Sequence, residues 1–322
     1  MTTSVRASHP PATGATNATV RGHRMQAAPG AGGASLRPEP RALSEGHYQL
    51  WADRFERETG IVVDQRREPF VRRQLEQRLL ELGLTDPDEY FASMLQTAAG
   101  EGERRLLLDR LLIKETRFFR HRDSHDFVRH IAQRHATAGE SSLNVWSVGC
   151  STGQEAYSLA LDAIEGLGAA GRSDEFAVIG TDLSRSALRE ARAGTYPAHA
   201  LLDLPKEYAT RFLEPVGAGR FRFRIEVRSR LAFVVDNLLL RQRGFFPEGV
   251  DIIFCQNLLI YFRRWRRHDT LNFLAQRLNP GGHLILGPGE SHDWCPAGLA
   301  RVEHPGVAAY RRPVDGEALR GR

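Results

Sequence analysis

The 322-residue chain has only three cysteines, Cys150, Cys255 and Cys295, and no two of them form a CxxC pair. That scarcity excludes a disulfide framework and a cysteine-built zinc site, and it fits a reducing compartment, the cytoplasm. No run of about 18 apolar residues occurs, so no membrane insertion is expected. Acidic residues are missing before Glu39, whereas Arg6, Arg21, Arg24 and Arg37 precede it. Residues 1–40 are rich in Ala, Gly, Thr and Pro. They bury too little apolar surface to offset ordering entropy and are expected to be a disordered tail without a secretory h-region. The net charge is only +5, part of it in that tail. With no nucleic-acid-binding motif present, the expected partner is an acidic protein surface and not nucleic acid. What is present, 41% hydrophobic and 26% charged residues, describes a globular protein long enough for two cores.

From Glu45 to about Arg134 the apolar pattern is helical. "YQLWADRFERETGI" predicts a helix ended by Gly60. "EPFVRRQLEQRLLELGL" places Val71, Leu75, Leu79 and Leu82 on one face, with Gly83 as the stop. The second helix and its lead-in carry Arg66, Arg67, Arg72, Arg73 and Arg78. Such a run is either a solvated face, paired with Glu68, Glu76 and Glu81, or a docking face for an acidic helix. "DPDEYFASMLQ" and "GEGERRLLLDRLLIKETRFFR" continue the helical half. Phe118 and Phe119, in the dense aromatic segment, read as packing residues that border a pocket at most.

From Ser142 the rhythm becomes strand, helix, strand. "LNVWSVG", "EFAVIGTD", "VDIIFCQN" and "GGHLILG" predict strands; "GQEAYSLALDAIEGLG", "SRSALREARAG" and "RRHDTLNFLAQRLN" predict the helices between them. This alternation implies a parallel, doubly wound sheet. "RVEHPGVAAYRR" adds two short strands around Pro305-Gly306. Between Tyr196 and Asp236 the rhythm breaks, and "RFRFRIEV" alternates with period two, which predicts a small antiparallel insert.

"NVWSVGCSTGQEAYSLAL" joins the first of these strands to its helix through small residues. In an open α/β sheet ligands sit beyond the C-terminal ends of the strands, and small residues there admit a close backbone approach. The turn matches neither GxGxxG nor the P-loop, which disfavours a dinucleotide or a nucleoside triphosphate. Asp182 ends the second strand, placed to accept hydrogen bonds from a ribose diol, or else to favour a helix N-terminus. Glu155 at the next helix start would repel a phosphate and attract a cation. A ribose, no phosphate and positive charge together describe S-adenosylmethionine (SAM).

The helical half followed by "ETRFFR", "WSVGCSTGQEAYSLA", "GTDLSRSALREARAGTY", "IIFCQNLLIYF" and "LNPGGHLILG" resembles the CheR-type chemotaxis receptor methyltransferases, from about Ser44 to Arg311. The resemblance implies an all-α N-terminal domain (41–136) and a Rossmann-like SAM-dependent methyltransferase domain (140–312) with a β-subdomain inserted at about 197–235. A C-terminal tail (313–322) would follow. It implies O-methylation of glutamates on the cytoplasmic helices of methyl-accepting chemoreceptors. Carried over by position, Thr116 and Arg120 contact SAM, Glu155 closes the glycine turn and Asp182 holds the ribose. Asn237 and Leu238 flank the adenine, and Gln256 and Asn257 end the fourth major strand. Arg120 and Tyr261 fall near the transferred methyl as the catalytic pair. Three positions depart from the pattern. Lys114 stands where the family usually has Asn, bringing a second cation to the cofactor. Gln256 replaces a common Arg, and Pro288 replaces a histidine or small polar residue.

The implied chemistry needs no general base, because a glutamate of ordinary pKa, about 4.3, is already ionised at neutral pH. Arg120 can orient a carboxylate through a bidentate pair, and the Tyr261 phenol can offer one hydrogen bond. A different class of function, a SAM-responsive adaptor that docks without turnover, rests on Lys114 and Gln256. Methylation of DNA amino groups is disfavoured, since "CQNLLIYF" lacks the Asn-Pro-Pro-aromatic tetrapeptide.

Overall fold

The computed structural model describes residues 41–96, 100–240, 247–290 and 294–314. The tail 1–40 and most of the tail 313–322 lie outside the described residues. The helical half comprises α1 (Glu45–Thr59), α2 (Glu68–Leu82), α3 (Pro87–Gln96) and α4 (Gly100–Leu111), and α5 (Arg122–Thr137) leads into the sheet. In α1, Ser44 caps the N-terminus by accepting from the His47 N–H, and the helix ends where Gly60 turns left-handed at φ 80°. Trp51 and Phe55 of α1 and Val71, Leu75 and Leu79 of α2 are fully buried, each worth about 1.5–3 kcal/mol of apolar transfer. Leu82, expected on the same face, is 43% exposed because the last turn of α2 runs past the core.

The arginines of α2 and its lead-in divide into two groups. Arg78 forms a bidentate pair with Glu103 on α4, both bonds at 2.7 Å, and also reaches Glu81. Arg72 pairs with Glu68 and Glu45 and lies 4.8 Å over the Tyr48 ring. Arg67 donates to the Leu111 carbonyl at 2.6 Å. These three hold the helical half together. Arg66 and Arg73 are exposed, and their side chains have no partner among the described residues.

The second half is a layered α/β unit. Its strands are β1 (Leu143–Val148), β2 (Phe176–Asp182), β3 (Thr195–Pro197), β4 (Leu213–Gly217), β5 (Arg220–Phe223), β6 (Leu231–Val235), β7 (Val250–Cys255), β8 (Leu278–Leu286), β9 (Ala300–Val302) and β10 (Ala308–Arg311). The helices are α6 (Gln154–Gly168), α7 (Arg185–Ala193), α8 (Lys206–Phe212), α9 (Ile225–Arg228) and α10 (Arg264–Ala275). Seven strands run in the order β6-β2-β1-β7-β8-β10-β9. The first five are parallel, and β10 and β9 close one edge antiparallel. The sheet is therefore mixed but mostly parallel. Ser184 caps α7 by accepting from the Ala187 N–H, and Gly194 ends it.

A separate antiparallel sheet, β3-β5-β4, forms the insert. Its limits differ from the expected 197–235. It begins at Thr195, and β6 leaves it to pair in parallel with β2 at the edge of the large sheet. The period-two reading of "RFRFRIEV" also stops early: Arg224 donates to the Phe212 carbonyl and the chain turns into α9.

A cavity built from both halves

The C-terminal ends of β1, β2, β6 and β7 open into one cavity. Thr59 and Ile61 after α1, and Leu112 and Ile113 after α4, roof it from the helical half. Three contacts fix that roof. Asn237 Nδ2 donates to the Glu58 carbonyl at 2.7 Å, the Val62 N–H donates to the Tyr261 carbonyl at 2.9 Å, and Ile61 bridges Phe262.

Nine of the ten expected site residues line this cavity: Thr116, Arg120, Glu155, Asp182, Asn237, Leu238, Gln256, Asn257 and Tyr261. Lys114 does not. Its ammonium turns away to Asp109 at 3.2 Å and Ser186 at 2.7 Å, where Asp109 also accepts from Ser184 and Ser186. Lys114 thus links α4 to the start of α7, and only its carbonyl approaches the glycine turn, accepting from Ser151 Oγ. The Lys114 ammonium expected at the cofactor is absent from the cavity wall, whose cations are Arg117 and Arg120. Gln256 also has an internal role: its amide donates to Ser124 and to the Leu286 carbonyl. Phe118 and Phe119 are buried, against Tyr196 and Phe223 and against His125 and Tyr208 respectively, and neither lines the cavity.

The glycine turn is built for close approach. Gly149 has φ 79°, and a Cβ there would meet Leu258 at 3.2 Å; one on Gly153 would meet Ala191 at 2.8 Å. Non-glycine residues also occupy left-handed backbone at the site, Ser151 at φ 50° and Asn257 at 58°, as does Phe119 behind the wall at 49°. Local strain of this kind persists where surrounding contacts over-determine it. Asn257 shows such contacts: its Oδ1 meets His121 Nε2 at 3.0 Å, and its N–H donates to Glu290.

Asp182 accepts from the Ser151 N–H at 2.9 Å on one oxygen and from the Ser184 N–H at 2.7 Å on the other. The carboxylate is oriented, and each oxygen keeps a lone pair for a further donor. Glu155 accepts from Ser147 Oγ at 2.6 Å. Burial raises its pKa to about 8; the hydrogen bond from Ser147 and the charge of Arg120 oppose the rise, and neighbouring Glu290 adds to it. Burial also raises Asp182, against its two backbone hydrogen bonds. The wall carries the carboxylates of Glu115, Glu155, Asp182 and Asp236 beside the guanidinium groups of Arg117 and Arg120, with no cationic side chain in the glycine turn itself; the Glu155–Asp182 end suits a ligand with hydroxyls and positive charge.

Residues 114–297 match the family described as "CheR methyltransferase, SAM binding domain", and residues 46–112 match "CheR methyltransferase, all-alpha domain". The chain belongs to the CheR methyltransferase family. It is 33% identical over 255 residues to the chemotaxis protein methyltransferase of Escherichia coli K12, covering 78% of this chain and 86% of that protein. Chemotaxis protein methyltransferase 1 of Pseudomonas aeruginosa is 32% identical over 276 residues, covering 83% and 98%. A probable biofilm formation methyltransferase, WspC of Pseudomonas putida, is 31% identical, covering 80% of this chain and 62% of that protein. The CheR domain architecture accounts for the two halves, and SAM is the cofactor whose ribose and positive charge the cavity suits.

Two groups in this CheR site escaped the sequence reading. Glu290, fully buried, accepts from five backbone N–H groups: Asn257 at 3.1 Å, Leu258 at 2.9 Å, Leu259 at 2.7 Å, Ile260 at 3.3 Å and Gly287 at 2.7 Å. One side chain therefore shapes the turn that carries Tyr261. The departure noted at Pro288 lies two residues before it, on the exposed side of the same bend. The second group is His125, in the cavity wall, whose Nδ1 meets the buried Asp162 at 2.6 Å. Rings of Phe119 and Phe254 pack on His125. Neither signal was available from spacing: 33 residues separate Glu290 from Asn257, and 37 separate His125 from Asp162.

Proposed function

We propose that this chain is a protein-glutamate O-methyltransferase acting on the cytoplasmic helices of chemoreceptors, in the cytoplasm. The names of the E. coli and P. aeruginosa relatives support the chemoreceptor assignment. No helix among the described residues is long and apolar enough to cross a membrane. When bound, SAM supplies an electrophilic methyl group. Asp182 would accept from the ribose hydroxyls, Glu155 would face the positive end, and Asn237 and Leu238 would border the adenine, with Thr116, Gln256 and Asn257 completing the wall. Arg120 would align an incoming carboxylate, and the Tyr261 phenol would offer it a hydrogen bond.

The observation that supports this reading is that Arg120 and Tyr261 line one and the same cavity. An ionised carboxylate needs orientation and exclusion of water, not deprotonation. His125, the one histidine in that wall, is 2% exposed and committed to Asp162. The two features that favoured a non-catalytic adaptor have structural explanations: Lys114 points away and Gln256 is satisfied internally. For docking, Arg66 and Arg73 are the members of the Arg66–Arg78 run left exposed for an acidic helix.

Incubation with methyl-labelled SAM and a chemoreceptor cytoplasmic fragment tests the proposal. Carboxyl methyl esters release volatile methanol in mild alkali, whereas N-methyl groups are retained. Base-labile label on the fragment is expected; base-stable label, or SAM binding without transfer, would refute it.

A further inference from the structure

The segment after Tyr261 reads Phe262-Arg263-Arg264-Trp265-Arg266-Arg267, and α10 begins at Arg264 with no acid in its first turn. Cations at a helix N-terminus face the positive end of the macrodipole, so helix stability does not explain them. Two have internal duties: Arg263 pairs with Glu56 of α1, and Arg267 Nε donates to the Leu259 carbonyl at 3.1 Å. The others do not account for themselves in this way. The Arg264 side chain is exposed and makes no ion pair or hydrogen bond among the described residues. Trp265 is 60% exposed, with the Arg266 guanidinium 4.6 Å over its ring. Ile260, 42% exposed, directly precedes Tyr261 in the cavity wall. Exposed tryptophan beside arginine is the composition that interface centres favour.

We propose that Ile260, Arg264, Trp265 and Arg266 form a docking surface at the cavity rim for the acidic helix that presents the methyl-accepting glutamate. This rests on the protein-glutamate reading above. Charge and position select the occupant. Unpaired arginines at a positive helix end call for an anionic partner. Continuity with Tyr261 calls for the partner segment whose carboxylate enters the cavity. A helix repeats every ~5.4 Å, so one glutamate can enter while carboxylates a turn away meet Arg264 and an apolar residue covers Trp265.

Docking can be read without turnover, by fluorescence anisotropy of a labelled helical peptide of glutamate-rich heptads titrated with the full, SAM-saturated protein. Wild type should bind, less tightly as salt rises. Trp265→Ala should weaken binding about thirtyfold, the scale of a central aromatic anchor. Arg264→Glu should weaken it at low salt and much less at high salt. Both variants should keep wild-type SAM affinity and, with a receptor fragment, raise KM while leaving kcat unchanged. Peptide binding by wild type with no methyl transfer would count against the methyltransferase reading but not against the surface. Equal peptide binding by wild type and both variants overturns the surface. Binding to phosphatidylglycerol vesicles in preference to the peptide, lost in Trp265→Ala, overturns the helical occupant in favour of a membrane.

Discussion

Cofactor affinity should depend on pH through Glu155. In the ligand-free protein this carboxyl has a pKa of about 8, raised mainly by burial, so at neutral pH most molecules hold it protonated. A cationic ligand favours the ionised form, and binding must release the proton. Below pH 8 the apparent affinity then follows the fraction ionised before binding, about 1 in 11 at pH 7 and about 1 in 101 at pH 6. The dissociation constant should rise about ninefold over that unit, close to the full 1.36 kcal/mol that one unit represents, about tenfold. The ligand's amino group stays largely protonated there, since an α-amino group has a pKa of about 7.7–8.0. Calorimetric titration with SAM or S-adenosylhomocysteine at pH 6 and 7, in buffers of different ionisation enthalpy, reads both the change in affinity and close to one proton released. Glu155→Gln should bind more weakly at pH 7 and lose the dependence. A pH-independent dissociation constant, or a Gln variant with wild-type affinity, would refute the argument. The same raised pKa sets a stability trend with its own sign. An unfolded glutamate ionises near its ordinary value, so the ligand-free fold is favoured below about pH 4.5 by this group, and the advantage is lost as pH rises through about 8.

Other residues give separable outcomes. Asp182→Ala should weaken SAM binding by roughly ten- to a hundredfold, since hydrogen bonds to a charged acceptor are worth about 1.5–3 kcal/mol, whereas Lys114→Ala should leave SAM affinity unchanged; isothermal titration checks both. Arg120→Ala should lower kcat even at saturating SAM, and restoration of full turnover by added SAM would reduce it to a binding residue. Glu290→Ala strands five N–H groups, of which those of Leu259 and Gly287 are buried and the others partly so, at about 1–3 kcal/mol for each that stays buried and unpaired, so a clear loss of denaturant midpoint and of turnover is expected. Glu290→Gln keeps an acceptor oxygen and should recover more stability than activity.

Local patterning made the large elements readable. β1 is a buried apolar run, Gly149 and Gly153 need their left-handed backbone, and Asp182 sits where a strand end must place it, so the cavity floor follows from nearby sequence. The helical stops at Gly60 and Gly83 were legible for the same reason. β6 was not, because "LAFVV" carries no mark of which sheet it joins; pairing with β2 is a long-range outcome. Local spacing offered Glu68 to Arg72 and Glu81 to Arg78, as observed, but not Glu45 and Glu103, which lie 27 and 25 residues away. Lys114 was misplaced by a similar limit: position in a motif does not give side-chain direction, and Ser186, 72 residues on, holds it.

The roof over the cavity has a consequence for how the two halves behave in solution. Thr59, Ile61, Leu112 and Ile113 belong to the helical half, yet they would contact whatever fills the space above the sheet. A ligand there would touch both halves, which already share one apolar core and the Arg263–Glu56 pair, so its binding energy would add to contacts already present and linkage makes the effect reciprocal. The short stretch from Gly60 to Arg67 carries Ile61 in that roof and Arg66 on the outer surface. If the proposed docking face includes Arg66, cofactor and partner would then be read through the same short stretch of chain, and scarcity of SAM would be felt as a looser grip on the partner.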